Sequence, residues 1–257
     1  MKKLMTAFAV CMIAGLAAAQ VESQNIVGYQ KLTAPGKFYS SGSTFISVGS
    51  TNTTWKLGDV TASGMDPTLD LIQFLNTSTA NAGVKATYID LATSIAYAGD
   101  ASLVGWWNLD LDTSYNGLVF AAGTGFLCNF SSSGVALTYA GQVLKGSTTL
   151  NLSGLTFPMV ANFTPVDLTL GNLTATGMDP TLDLIQFLDT STANAGVKAT
   201  YIDLATSIAY AGNASLVGWW NLDLDTSLNS TSFPAGSAFL GNFSSPSVTI
   251  TFPSAVN

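Results

Sequence analysis

The chain has 257 residues, with 47% hydrophobic residues, only 9% charged residues and no histidine. No arginine occurs either, so Ser-His and Cys-His catalytic pairs, histidine metal sites and arginine phosphate clamps are all excluded. A formal charge of −7 leaves no basic footprint for nucleic acid or an anionic membrane, and the high apolar content argues against disorder.

Taken in chain order, residues 1–19 read as a secretory signal peptide. Lys2 and Lys3 precede an apolar stretch over 4–16, and Ala17-Ala18-Ala19 supplies small residues for cleavage before Gln20. Removal of that segment leaves 6 lysines against 15 acids, a charge of −9. It also leaves Cys128 as the only cysteine, expected to be a small buried apolar residue. No later apolar run reaches the ~20 residues a membrane helix needs, so no integral membrane segment is expected after cleavage. NIVGYQKL (25–32) reads as an opening strand, and Phe45-Ile46-Ser47-Val48 as a segment matched by Phe157-Pro158-Met159-Val160. Asp66-Pro67 is a good helix start, but LDLIQFL is short and runs into a polar turn cluster, which favours a strand. With Val84–Asp90 it forms a hairpin across a long loop. Residues 92–101 read as a short helix or an extended loop. Asn108-Leu109-Asp110-Leu111-Asp112 alternates as a half-buried strand should, and 134–140 and 247–252 read as strands of the same period.

The dominant feature is an internal repeat. Residues 64–116 return at 177–229, an offset of 113, with differences only at Asn76/Asp189, Asp100/Asn213 and Tyr115/Leu228. The match continues more loosely from 120–143 to 233–256. A unit of this size is a small domain rather than a solenoid repeat of roughly 20–50 residues. Short strands, recurring turns and no long helical period predict an all-β chain of two tandem β-sandwich domains, 20–143 and 144–257.

The opening NIVGYQKL strand, the FAAGTGF and FPAGSAF segments and the closing VALTYAGQV and VTITF strands together resemble exported bacterial β-rich repeat proteins. Such proteins open with an N-x-V-G-Y strand and close each unit with a V-T-x-T-F strand. The resemblance implies a secreted or cell-surface β-protein and carries no catalytic residues.

Three kinds of chemistry are weighed on the residues themselves. Asp110 and Asp112, repeated as Asp223 and Asp225, lie side by side on one strand face and read as a solvated face, whereas glycoside hydrolysis needs the pair to flank a bond in a cleft. Asp110-x-Asp112-x-Ser114-x-Asn116 has oxygen ligands at alternate positions but lacks the glycine and glutamate of a calcium-binding EF-hand, which leaves only a looser calcium site open. The third is a binding face. If 105–112 is extended, Leu109 and Leu111 put Trp107 on the core side. Trp106, Asn108, Asp110 and Asp112 then face outward, as do Trp219, Asn221, Asp223 and Asp225. An outward tryptophan beside amide and carboxylate acceptors serves packing against another surface or stacking on a sugar. The expected function is a non-enzymatic structural or adhesive surface protein without cofactor or metal, with self-association or surface polysaccharide as its partners. A carbohydrate-binding module using the outward Trp/Asn/Asp faces is the alternative.

Overall fold

A computed structural model describes residues 27–34, 36–48, 53–75, 81–155, 157–190 and 192–254. The signal segment 1–19 and the first residues of the opening strand lie outside them. The protein is mostly β, with two short α-helices among the described residues.

The first copy runs β1 (Val27–Thr33), β2 (Phe38–Gly42), β3 (Thr54–Lys56), β4 (Val60–Ser63), β5 (Leu71–Gln73), β6 (Lys85–Ile89), α1 (Leu91–Ala98), β7 (Gly105–Trp107), β8 (Val119–Ala121), β9 (Gly125–Asn129) and β10 (Ala136–Gln142). The second repeats that order as β11 (Thr148–Asn151), β12 (Met159–Ala161), β13 (Leu168–Thr169), β14 (Thr174–Thr176), β15 (Leu184–Gln186), β16 (Lys198–Ile202), α2 (Leu204–Ala211), β17 (Gly218–Trp220), β18 (Ser232–Phe233), β19 (Ala238–Asn242) and β20 (Thr249–Phe252). Pairing recurs with the order. A five-stranded sheet β2-β9-β5-β6-β7 matches β12-β19-β15-β16-β17, a three-stranded sheet β1-β10-β4 matches β11-β20-β14, and the pair β3-β8 matches β13-β18.

Local sequence explains most of these elements. Ile72 and Ile185 occupy equivalent strands, and the turn beginning at Asp66-Pro67 stops short of a helix. The segment after Ile89 does become one: Asp90 caps it by accepting from Thr93 N (2.8 Å), and Gly99 ends it in the left-handed conformation at φ 80°. Alternation shows in β20, whose Ile250 and Phe252 are buried while Thr249 and Thr251 lie nearer the surface.

Each copy has its own apolar cluster. In the first, Phe74 stacks on Phe120 (4.0 Å between ring centres) and Phe120 on Trp55 (4.8 Å). In the second, Leu168 pairs with Phe233 where Trp55 pairs with Phe120, and Phe187 meets Phe233 and Phe239 edge-on rather than stacked. Phe126 and Phe239 are fully buried equivalents, and Cys128 is a free, fully buried thiol, both as expected from sequence.

Strand register corrects one match drawn from sequence. Ser41 pairs with Phe126, and Val160 pairs with Phe239, the residue 113 further on. Ser40, Ser41 and Gly42 are therefore the counterparts of Met159, Val160 and Ala161, and residues 45–48 are not the counterparts of 157–160.

The copies meet through these same strands about a pseudo-two-fold axis. Gly42 N donates to Gly236 O (3.1 Å), and its counterpart Ala161 N donates to Gly123 O (2.8 Å). Single bridges Ser41 to Ser237 and Val160 to Thr124 are related in the same way. Met159, Ala161 and Ala238 form the buried centre, flanked by Leu75 and its counterpart Leu188. This is the self-complementary arrangement of a symmetric dimer, held within one chain. Polar contacts break the symmetry. Ser40 N donates to Asp189 Oδ1 (2.6 Å), and Ser41 Oγ reaches both Gly236 O (2.8 Å) and Tyr139 Oη (2.6 Å).

Candidate functional site

The outward Trp/Asn/Asp face is not formed as the alternation predicts. Trp106 and Trp219 are fully buried. Trp106 packs edge-on against Tyr88 (5.1 Å) and donates from Nε1 to Val60 O (2.6 Å), and Trp219 does the same with Tyr201 and Leu173 O. Trp107 and Trp220 take the opposite face, half-buried, each with its indole N–H on a carbonyl four residues back. The physical reason is where the strand ends. β7 stops at Trp107, and the chain closes a turn in which Asn108 N donates to Thr113 O and Leu111 sits at φ 57°. Leu109 and Leu111 belong to that turn, so their alternation says nothing about which tryptophan enters the core.

Within the turn, Asn108 Oδ1 accepts from Asp112 N (3.0 Å) and Thr113 N (3.2 Å), while Asn108 Nδ2 donates to Asp112 Oδ1 (2.7 Å). Asn221 and Asp225 repeat this. The bonds from Thr113 and Asn108 hold the Asp112 carboxyl below the usual carboxylate range. Asp110 and Asp223 lie on the surface of the turn. Asn116 turns away, its Oδ1 accepting from Trp106 N (2.8 Å), so the alternating oxygens from Asp110 to Asn116 do not converge as a ligand set. Among the described residues no group of three or more Asp, Glu or Cys side chains is placed to hold a metal ion.

A different set of residues is brought together beside α1. An open groove of about 470 Å³ is lined by Asp66, Pro67, Asp90, Thr93, Tyr97 and Ser132, with Ala92 and Ala96 along its floor. Asp70 builds two of its walls. This carboxylate is almost completely buried; its Oδ1 accepts from Ser131 N (2.6 Å) and Ser132 N (3.0 Å), and its Oδ2 from Asp66 N (2.8 Å). The third wall is the first turns of α1, held by the Asp90 cap. Asp66 Oδ1 accepts from Thr68 Oγ1 (2.7 Å) and Thr68 N (2.8 Å), which keeps its carboxyl below the ordinary range and ionised at neutral pH. The groove is therefore rich in acceptors and has one exposed aromatic ring.

Asp183 repeats the anchoring on Ser244 N, Ser245 N and Asp179 N, and every lining residue of the groove has an identical counterpart 113 residues on. The sequence carried one signal of this site: D-P-T-L-D and Y-I-D-L-A-T-S-I-A-Y recur unchanged, and the fold leaves Thr68, Leu69, Leu91, Ile95 and Tyr97 of them exposed while burying Asp70, Tyr88, Ile89 and Ser94.

Compared with protein-family models, curated proteins and solved structures, the chain has no significant match in any of the three. Among the described residues no helix is long and apolar enough to cross a membrane.

Proposed function

We propose that this is an exported, non-catalytic surface protein, structural or adhesive in role, made of two like β-sandwich domains over 20–143 and 144–257. Support for export comes from the Lys2-Lys3 start, the apolar stretch over 4–16 and the small residues at 17–19. The sandwich reading rests on a core that draws Val60 and Leu137 from the three-stranded sheet and Ile72 and Phe126 from the five-stranded one.

The observation that carries the role is surface duplication. Leu69, Leu91, Ile95, Tyr97 and Leu109 are exposed, and so are their counterparts Leu182, Leu204, Ile208, Tyr210 and Leu222. A chain that presents one surface twice attaches bivalently, and the second contact forms at the high effective concentration set by the first. The carbohydrate-binding alternative is favoured by the groove beside α1 rather than by the Trp106 strand.

The test is to express the full chain with its own leader in a bacterial host and treat intact cells and culture medium with protease. Purified protein is then applied to cell-surface and extracellular-matrix preparations. Surface or medium location together with retention is expected. A chain that stays inside the cell, or that no preparation retains, refutes the proposal.

A further inference from the structure

Helix α1 is inverted. Its one buried side chain is Ser94, whose hydroxyl donates to Asp100 O (2.7 Å) and accepts from Leu103 N (3.0 Å). Leu91, Ile95 and Tyr97 point to solvent, Tyr97 being 62% exposed. A surface helix ordinarily buries its apolar side chains and shows its polar ones. Helix α2 repeats the inversion, with Ser207 buried and Tyr210 60% exposed. Apolar side chains left at the surface in this way are available for a contact.

The groove that Tyr97 overlooks specifies the chemistry of that contact. Its size falls within the range of roughly 300–1,000 Å³ of small-ligand sites. Asp66 and Asp90 supply carboxylate acceptors, Thr93 and Ser132 supply hydroxyls, and no lysine is among the lining residues. An anionic ligand, nucleic acid or acidic membrane would be repelled. A second copy of this chain laid groove to groove would set Asp66 and Asp90 against the same carboxylates. A neutral polyol meets none of these penalties: its hydroxyls donate to the carboxylates, and its C–H faces lie on the Tyr97 ring and the Pro67 ring. Ala92 and Ala96, one turn apart, keep the floor low enough for a flat ring to approach.

We propose that this groove is a binding site for neutral glycan, present twice per chain, the second formed by Asp179, Pro180, Asp203, Thr206, Tyr210 and Ser245. The proposal rests on the adhesive reading and names what the adhesive surface recognises.

The full chain, its Tyr97→Ala and Tyr210→Ala variants and the double variant are run through native gels containing hydroxyethylcellulose, dextran, laminarin or galactomannan, and on a neutral-glycan array. Retardation by at least one neutral glycan is expected. Each single variant should weaken binding about tenfold or more through lost bivalency, and the double variant should abolish it, all with unchanged unfolding midpoints. No binding to any neutral glycan overturns the proposal, as does a double variant that binds like the parent. So does a double variant whose sedimentation shifts from oligomer to monomer while glycan retention stays the same, because the patch then serves self-association. Cell-surface retention that persists without glycan binding defeats this proposal and leaves the adhesive reading standing.

Discussion

Gly42 and Ala161 are counterparts in the two copies and face each other across the pseudo-two-fold axis so closely that a Cβ on Gly42 would fall inside the Ala161 methyl group. Gly125 and Ala238 repeat the relationship, with a Cβ on Gly125 lying 2.8 Å from that of Ala238. Each axial pair has room for one methyl group. A symmetric pairing of two second copies would put two there, so the copies fit each other better than the second fits itself.

Gly42→Ala should therefore destabilise the chain by about 1–3 kcal/mol through overpacking. A strand glycine replaced by alanine would otherwise gain a little from reduced chain entropy. Combining Gly42→Ala with Ala161→Gly moves the methyl group across the axis and should recover most of the loss. Urea unfolding of the two single variants and the double variant measures the coupling, and additive effects would show that the two residues do not meet.

Asp189 sits at this interface, where burial raises its carboxyl pKa above the ordinary value despite the bond from Ser40 N. With the folded pKa above the unfolded one, the folded state holds the proton more tightly. Stability then falls as pH rises from the unfolded value through the folded value. Asp189→Asn keeps an oxygen for Ser40 N and removes the charge, and asparagine already stands at the matching position, Asn76. The variant should be more stable than the parent at pH 7, and the gain should vanish at acid pH. Thermal unfolding across pH 3–8 reads this, and an unchanged pH profile would refute it.

Asp70 is the acceptor for three backbone N–H groups, from Asp66, Ser131 and Ser132. Asp70→Ala orphans all three in a part-buried setting and should cost about 1–3 kcal/mol. Amide exchange at those three positions should accelerate more than exchange in β10. Protection that falls evenly across the first copy would argue that Asp70 does not hold the groove walls.

The two neighbouring tryptophans should behave differently. Trp106→Ala removes a fully buried indole and its bond to Val60 O, for a loss of about 3–5 kcal/mol. Trp107→Ala should cost clearly less, because its ring is half-buried and its N–H reaches only a local carbonyl. Denaturant unfolding of the two variants compares them directly, and equal losses would contradict the assignment of faces.

Local and periodic information was enough for much of the molecule. Period-two runs place β10 and β20, and near-identity over 64–116 and 177–229 determines that equivalent strands recur in equivalent pairings. These features depend on neighbours in the chain, and a neighbour is visible in sequence. The choice between Trp106 and Trp107 depended on Thr113 closing a turn on Asn108 before the strand could continue, a competition between turn and ladder hydrogen bonds that alternation does not record. The counterparts of Gly42 were set by pairing with β9 and β19, because register belongs to the partner strand as much as to the strand itself. The groove beside α1 needed Asp70, which also holds Asp66 N, to bind Ser131 N and Ser132 N across 61 and 62 residues of chain, and the axial Gly–Ala pairs needed two copies packed face to face. Such contacts come from packing between segments far apart in the chain, so only the tertiary structure decided them.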